Sequence, residues 1–290
     1  MLYKIAIASG KGGTGKTTVS VNLHHFFAQS LNQKVQLVDC DVEEPNDAIF
    51  FSDASKTESK DIFQLIPEID LTKCTFCRKC AEYCEFNAIV VIPSAKFAEV
   101  NASLCHSCGA CTVACKYNAI TEIELAIGKI NFYKLPQGNG LVEGELRIGS
   151  AMQTKLIKEL KKHVSAENQI VIYDAPPGTS CPVVETVSNV DYIILVSEPT
   201  PFGLYDLKLM VNLLAEIKTP FGVIVNKAGL GNNDIYEFLS SEGIELLGEI
   251  PFSPTYAASY ASGNMLNEIP AEISESFNEI TEKMKIRLKL

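Results

Sequence analysis

Gly10-Lys11-Gly12-Gly13-Thr14-Gly15-Lys16-Thr17 is the stretch from which the fold of this chain can be read. It fits the pattern G-x-x-x-x-G-K-[ST], and its four glycines let the backbone N–H groups curl around an anion. Lys16 is placed to neutralise the outer phosphates of a nucleotide, and the Thr17 hydroxyl to complete a magnesium site. The flanks agree with this. Residues 3–9 (YKIAIAS) read as a short apolar strand, residues 16–30 as a helix opening on Thr17 and Thr18, and residues 34–39 (KVQLVD) as a second strand.

The same alternation resumes late in the chain. Residues 170–173, 192–197 and 221–226 are near-continuous apolar runs, and residues 203–217 between two of them have helical spacing. Strands of that texture are buried on both faces, which implies an α/β fold around a mostly parallel sheet. From about Ile62 to Lys134 the texture changes to short strand-like pieces over 89–92, 97–100, 120–125 and 129–133, and to cysteines. Residues 74–88 and 105–119 share one pattern, so a 31-residue repeat is present in two copies. The expected organisation is therefore one α/β domain over 1–61 and 135–290, with an inserted α+β module over 62–134.

Charge and hydropathy narrow the partners. Lys and Arg number 25 against 35 Asp and Glu, a net of −10, so no nucleic-acid partner is expected. No apolar run approaches the roughly 18 residues of a membrane span, so no membrane association is expected and a cytoplasmic location is. Cysteines kept in that compartment usually bind metal or do chemistry, and eight of the ten fall between Cys74 and Cys115. Ile273, Phe277, Ile280 and Met284 recur at helical spacing, as for a face packed on the sheet, with a basic, apolar tail at 283–290 expected to fray.

The form K-G-G-x-G-K-T, with Lys11 near the start of the loop, resembles the deviant Walker A loop of the MinD/ParA/nitrogenase-iron-protein superfamily of P-loop NTPases. That resemblance implies ATP and Mg2+ as ligands, held by Gly10, Lys11, Gly12, Gly13, Thr14, Gly15, Lys16, Thr17 and Thr18. It also implies a homodimer with nucleotide at the interface, in which Lys11 reaches the partner's phosphates. Asp39 and Asp41, in Val38-Asp39-Cys40-Asp41, resemble the first switch: Asp41 positions the attacking water, Asp39 has a magnesium-linked role, and Lys16, Lys11 and Asp41 form the catalytic set. Asp174, before Ala175-Pro176-Pro177-Gly178, resembles the second switch and holds a magnesium-bound water. Asn226-Lys227-Ala228-Gly229 resembles the base-contacting segment; Gly229 has no carboxylate with which to accept from guanine, so adenine is favoured, near Asn226 and the backbone of Pro251.

Cys74-x2-Cys77-x2-Cys80-x3-Cys84 and Cys105-x2-Cys108-x2-Cys111-x3-Cys115 resemble the two-cluster bacterial ferredoxins. On that resemblance one [4Fe-4S] cluster takes Cys74, Cys77, Cys80 and Cys115, and the other takes Cys105, Cys108, Cys111 and Cys84. A pair of zinc sites is the alternative chemistry for the same thiolates. Glu85 and Lys116 stand where ferredoxins carry a proline after the fourth cysteine. Cys181, seven residues after Asp174, sits at an offset similar to a ligand of the nitrogenase iron protein, but without the second cysteine that protein needs; it is expected to be redox-idle, and Cys40 structural. His106 reads as a neighbour of the second cysteine set.

Together these features imply a slow, switch-like ATPase carrying two [4Fe-4S] clusters, with nucleotide-gated electron transfer to or from a redox or metalloprotein partner. An iron-sulfur or metal-centre assembly ATPase is the second reading, and a spatial-positioning ATPase related to cell division the third.

Overall fold

Apolar runs that are continuous rather than alternating form the centre of the fold. The computed structural model describes residues 2–31, 34–136, 139–165 and 167–290. The chain divides into two compact units: Met1–Ser59, Ile130–Glu145 and Ile157–Leu290 make the first, Lys60–Lys129 and Leu146–Leu156 the second.

In chain order the first unit begins with β1 (Tyr3–Ala8), α1 (Lys16–Ser30), β2 (Val35–Asp39) and the start of β3 (Ser55–Ile69). The second unit carries α2 (Lys79–Glu82), β4 (Ile89–Ile92), β5 (Phe97–Val100), α3 (Ala110–Ala114) and most of β6 (Ile120–Lys134). Then follow β7 (Gly140–Leu146), α4 (Gln153–Leu160), β8 (Ile170–Asp174), α5 (Cys181–Val187), β9 (Tyr192–Ser197) and α6 (Pro201–Ile217). The chain ends with β10 (Phe221–Ala228), α7 (Asp234–Ser241), β11 (Leu246–Pro251), α8 (Pro254–Ala261) and α9 (Ala271–Leu288).

Nine strands form one sheet in the order β11-β10-β9-β1-β8-β2-β7-β6-β3. Pairing is parallel from β11 across to β7. Ile5, Ile7, Leu37, Ile172 and Ile194 are fully buried in it, as both-face coverage requires. On β11 the terminal helix α9 buries Ile273, Phe277, Ile280 and Met284 completely. Its basic end is bound rather than frayed: the helix runs to Leu288, and Lys283 Nζ donates to the Leu247 carbonyl at 2.9 Å. Among the described residues no helix is long and apolar enough to cross a membrane.

Two sequence expectations change. The pieces over 120–125 and 129–133 are a single strand, β6, because Gly128 interrupts the apolar pattern without leaving the extended conformation. The start of β3 carried no strand signal, since its residues 55–61 are polar and solvent-exposed and so show no alternation.

The second unit has a small core. Ile89, Val91, Cys111 and Ile120 form one buried cluster and Ile66, Ala88 and Cys105 another, with Cys80, Cys84 and Cys115 packed at their edges. The sequence repeat is also a backbone repeat: Phe76 and Ser107, Arg78 and Gly109, and Asn87 and Asn118 are pairs 31 residues apart, and all six adopt positive φ. The antiparallel hairpin β4–β5 closes the first copy.

Candidate functional site

The glycine loop follows the carboxyl end of β1, at the edge where parallel sheets bind ligands, with β8 and β9 as the neighbouring strands. The loop ends at Gly15, whose φ of 95° starts α1. A Cβ at Gly15 would also collide with the Asn226 amide, so this position admits only glycine. No side chain caps α1. The helix runs over Lys16–Ser30, the range read from the sequence, and the Thr17 hydroxyl donates to Asp174 Oδ2 at 2.9 Å instead of capping it. The carbonyl of Thr18 accepts from Asn22. The uncapped N–H groups at the head of the helix remain available to an anion.

Strand register assembles the carboxylates. Asp39 on β2 lies level with Asp174 on β8 and Glu143 on β7, so three acids stand side by side at the sheet edge. Asp39 accepts from the backbone N–H groups of Asp41, Asn46 and Asp47 at 3.0, 2.8 and 3.1 Å, which ties down the segment after β2. Burial pushes the Asp39 carboxyl well above its usual range, and the charge of Asp174 adds to this. Burial also raises Asp174, opposed by the Lys16 ammonium and the Thr17 hydroxyl. Asp47 is raised by burial and then by Asp39, Asp174 and Glu143. Asp41 is pushed up to about 6 by burial and the Asp174 charge, with Lys16 pulling the other way.

So many buried acids beside one buried lysine form a site short of positive charge. Asp174 Oδ1 and both Asp47 oxygens are buried without a satisfactory hydrogen-bond partner. Orphaned carboxylate oxygens beside a threonine hydroxyl fit a hard divalent cation such as Mg2+. Among the described residues no three His, Cys, Asp or Glu side chains are already arranged to hold a metal ion. Mg2+ does not need such a cage, because it keeps several waters and takes one or two carboxylates plus phosphate oxygens.

Lys11 and the far side of the loop are tied to β9 and β10. Lys11 Nζ donates to Glu198 Oε1 at 2.6 Å, and Lys227 Nζ to Glu198 Oε2 at 3.1 Å and to the Gly13 carbonyl at 2.8 Å. Burial acts to raise the Glu198 carboxyl, but hydrogen bonds from the two lysines outweigh it and hold the carboxyl below its ordinary range. Asn226 Nδ2 donates to the Thr14 carbonyl at 2.8 Å, so this residue braces the loop from behind. Pro251 ends β11 beside Ala228, which ends β10. Glu198, Lys227 and Asp47 were not singled out from sequence. A carboxylate directly after a buried strand, as in Ser197-Glu198-Pro199, was the available signal for Glu198; Asp47 gave none.

Within the second unit the cysteines divide between two cavities. One is lined by Cys74, Cys77, Cys80 and Cys115. The other is lined by Cys84, Cys105, Cys108 and Cys111. Each cavity takes three thiols from one repeat and the fourth from the other. Backbone N–H groups point at sulfur, from Phe76 to Cys74 at 3.4 Å, from Ser107 to Cys105 at 3.5 Å and from Ala88 to Cys84 at 3.3 Å. Such donors stabilise thiolate charge. Burial raises the Cys80 and Cys111 thiols in the free chain. A [4Fe-4S] cube takes one thiolate per iron, so the four sulfurs need to surround a volume rather than meet at one metal. His106 stacks on Phe86 with centroids 3.8 Å apart, at the wall of the second cavity. Cys181 is exposed at the start of α5. Cys40 is buried, with its thiol raised first by burial and only then by Asp39.

Residues 5–266 match the family model described as the CobQ/CobB/MinD/ParA nucleotide binding domain. An uncharacterized protein of Methanocaldococcus jannaschii is 35% identical over 286 residues, covering 98% of this chain and 97% of its own. The iron-sulfur cluster carrier protein of Pyrococcus furiosus is 27% identical over 308 residues, covering 99% of this chain and 87% of its own. Among solved structures, the septum site-determining protein MinD of Pyrococcus horikoshii, complexed with Mg-ADP, superposes with a TM-score of 0.61 at 18% identity, covering 99% and 98% of the two chains.

Proposed function

The chain belongs to the CobQ/CobB/MinD/ParA nucleotide-binding family, and on that premise we propose that it is a slow, switch-like ATPase that carries two [4Fe-4S] clusters and uses its nucleotide state to gate electron transfer with a protein partner. The observation that carries this reading is the division of eight cysteines between two cavities, three from one repeat and one from the other in each. Two independent zinc sites built from two C-x2-C pairs give no reason for that exchange.

In the nucleotide unit the loop N–H groups and Lys16 bind the phosphates, and adenine lies towards Asn226 and Pro251. With its Nδ2 engaged by Thr14, Asn226 offers its side-chain oxygen to the base's amino group. Thr17, Asp39 and Asp174 hold the magnesium ion, whose contribution is to neutralise charge on the transferring phosphoryl group. Asp41, ionised at neutral pH, orients the attacking water. Lys11 is shared: Glu198 holds it in the single chain, and in a homodimer closed around nucleotide it moves to the partner's phosphates. In the cysteine unit Cys74, Cys77, Cys80 and Cys115 hold one cluster and Cys105, Cys108, Cys111 and Cys84 the other; bound there, each supplies one-electron chemistry. The chain enters this unit along β3, soon after Asp39, Asp41 and Asp47, which gives the gate its route.

Stopped-flow reduction of the clusters in ADP and in a non-hydrolysable ATP analogue tests the gate: a rate difference supports it, and equal rates reject it. Similarity to an iron-sulfur cluster carrier protein favours a second reading, in which the clusters are cargo. Incubation with an apo-ferredoxin separates the two, since a carrier loses its iron to the acceptor whereas resident clusters stay.

A further inference from the structure

The two halves of the cysteine unit repeat in backbone but not in charge. Arg78 and Gly109 are repeat mates, with φ of 68° and 72°. A left-handed position suits glycine and is unfavourable for arginine, so the first copy keeps a cation where the fold itself has no use for one. Lys79 is matched by Ala110, and Glu85 by Lys116. Because the fourth cysteine of each set comes from the other copy, these differences add. Arg78 and Lys79 line the cavity of Cys74, Cys77, Cys80 and Cys115, and Lys116 adjoins its fourth cysteine. The other cavity has Gly109 and Ala110 at those places, Glu122 in its wall where the first has Val91, and Glu85 next to Cys84.

Pairing within the unit leaves the contrast intact. Lys79 is neutralised by Glu82 at 2.7 Å, and Lys73 by Asp70 at 2.9 Å. Arg78 and Lys116 are exposed, and no ion pair within 4 Å is made by either among the described residues, although the Glu82 carboxylate that pairs with Lys79 also feels the Arg78 charge. The aromatic residues differ in the same direction. Phe86 at the second cavity, 41% exposed, is stacked by His106, whereas its mate Tyr117 at the first is 52% exposed with Thr75 in place of the histidine and no ring against it among the described residues. One cavity thus has a cationic rim with an exposed aromatic ring, and the other an acidic rim with its ring stacked.

We propose that the rim formed by Arg78, Lys116 and Tyr117 is the docking face for a small acidic protein, a one-electron carrier, and that the rim with Glu85 and Glu122 is not. This inference rests on the cluster reading above. A chain of net charge −10 repels an acidic partner at long range, so the attraction is confined to a local patch acting within a Debye length of about 10 Å. An exposed tyrosine that lines the same cavity as Arg78 and follows Lys116 in the chain supplies the flat apolar contact that rim charges alone lack.

The test uses the full-length protein purified anaerobically, with iron and sulfide measured in each preparation and an acidic flavodoxin as the probe. Binding is measured by surface plasmon resonance at about 50 and about 300 mM salt. The expected result is salt-sensitive binding, weakened about tenfold or more by Arg78→Glu with Lys116→Glu, and unchanged or strengthened by Glu85→Lys with Glu122→Lys. The second pair is the folding control, since it makes an equal change of opposite sign at the other cavity. No binding at low salt, equal weakening by both pairs, or comparable binding of a DNA duplex overturns the docking assignment in protein that carries its iron. Protein that lacks iron and sulfide overturns the cluster reading instead.

Discussion

The nucleotide unit and the cysteine unit reach a functional arrangement by opposite routes. In the first, partners far apart in sequence are brought together by the sheet: Lys11 and Glu198 are 187 residues apart, and Thr17 and Asp174 157. Its core stands behind the site, from Ile5 and Leu37 to Phe277 and Met284. In the second, all eight cysteines fall within one short span, and the buried side chains are few. A large core can hold a cluster of uncompensated charges ready for a ligand; a unit with little core depends on its ligand for stability.

The largest expected effect follows from that contrast. Stripping metal by chelation and oxidation should unfold residues 60–129 and leave the nucleotide unit folded, as limited proteolysis followed by mass spectrometry would reveal. Survival of the cysteine unit as a resistant fragment would break the comparison. Next in size, Lys11→Ala should lower ATP hydrolysis by about a thousandfold while leaving the visible absorption of the clusters intact. Loss of both would mean that the units do not fold separately.

A smaller effect concerns acid. In the proposed role of orienting water Asp41 has to be ionised, and burial and the Asp174 charge push its carboxyl up to about 6. The hydrolysis rate should therefore fall about tenfold per unit below that pH, read from a rate profile between neutral and acid. The smallest effect is on stability. Asp47 has a folded-state value raised well above 3.8, so the folded chain binds more protons than the unfolded chain between those values. Its contribution to stability is thus largest in acid and is lost as pH rises through the folded value. Asp47→Asn should accordingly stabilise the nucleotide-free protein at neutral pH by about 1–3 kcal/mol, measured by urea denaturation, with less gain in acid. An unchanged midpoint would mean that the Asp47 carboxyl is already compensated.

What the sequence disclosed differs between the units for the same reason. Local features were legible: the glycine loop, the apolar runs of β1, β2, β8, β9 and β10, and the buried face of α9. The backbone pseudo-symmetry was legible too, since Phe76 and Ser107 repeat as the cysteines do. The contacts of Glu198 and Lys227 were not, because the two residues meet only after the sheet has formed, and nothing local marked Asp47. Asn226 was noted for its resemblance to a base-contacting residue, yet its amide is bound to Thr14, a contact that only tertiary structure discloses. The polar start of β3 was missed because exposed strand residues carry no periodicity.

The central claim is that one polypeptide holds both an ATP-binding loop and two iron-sulfur cubes. Iron, acid-labile sulfide and bound adenine nucleotide, quantified per chain in one anaerobic preparation, test it most directly. The account predicts about eight irons and eight sulfides with one nucleotide. A colourless protein carrying about two zinc ions, or one that retains no nucleotide in the presence of magnesium, would contradict it.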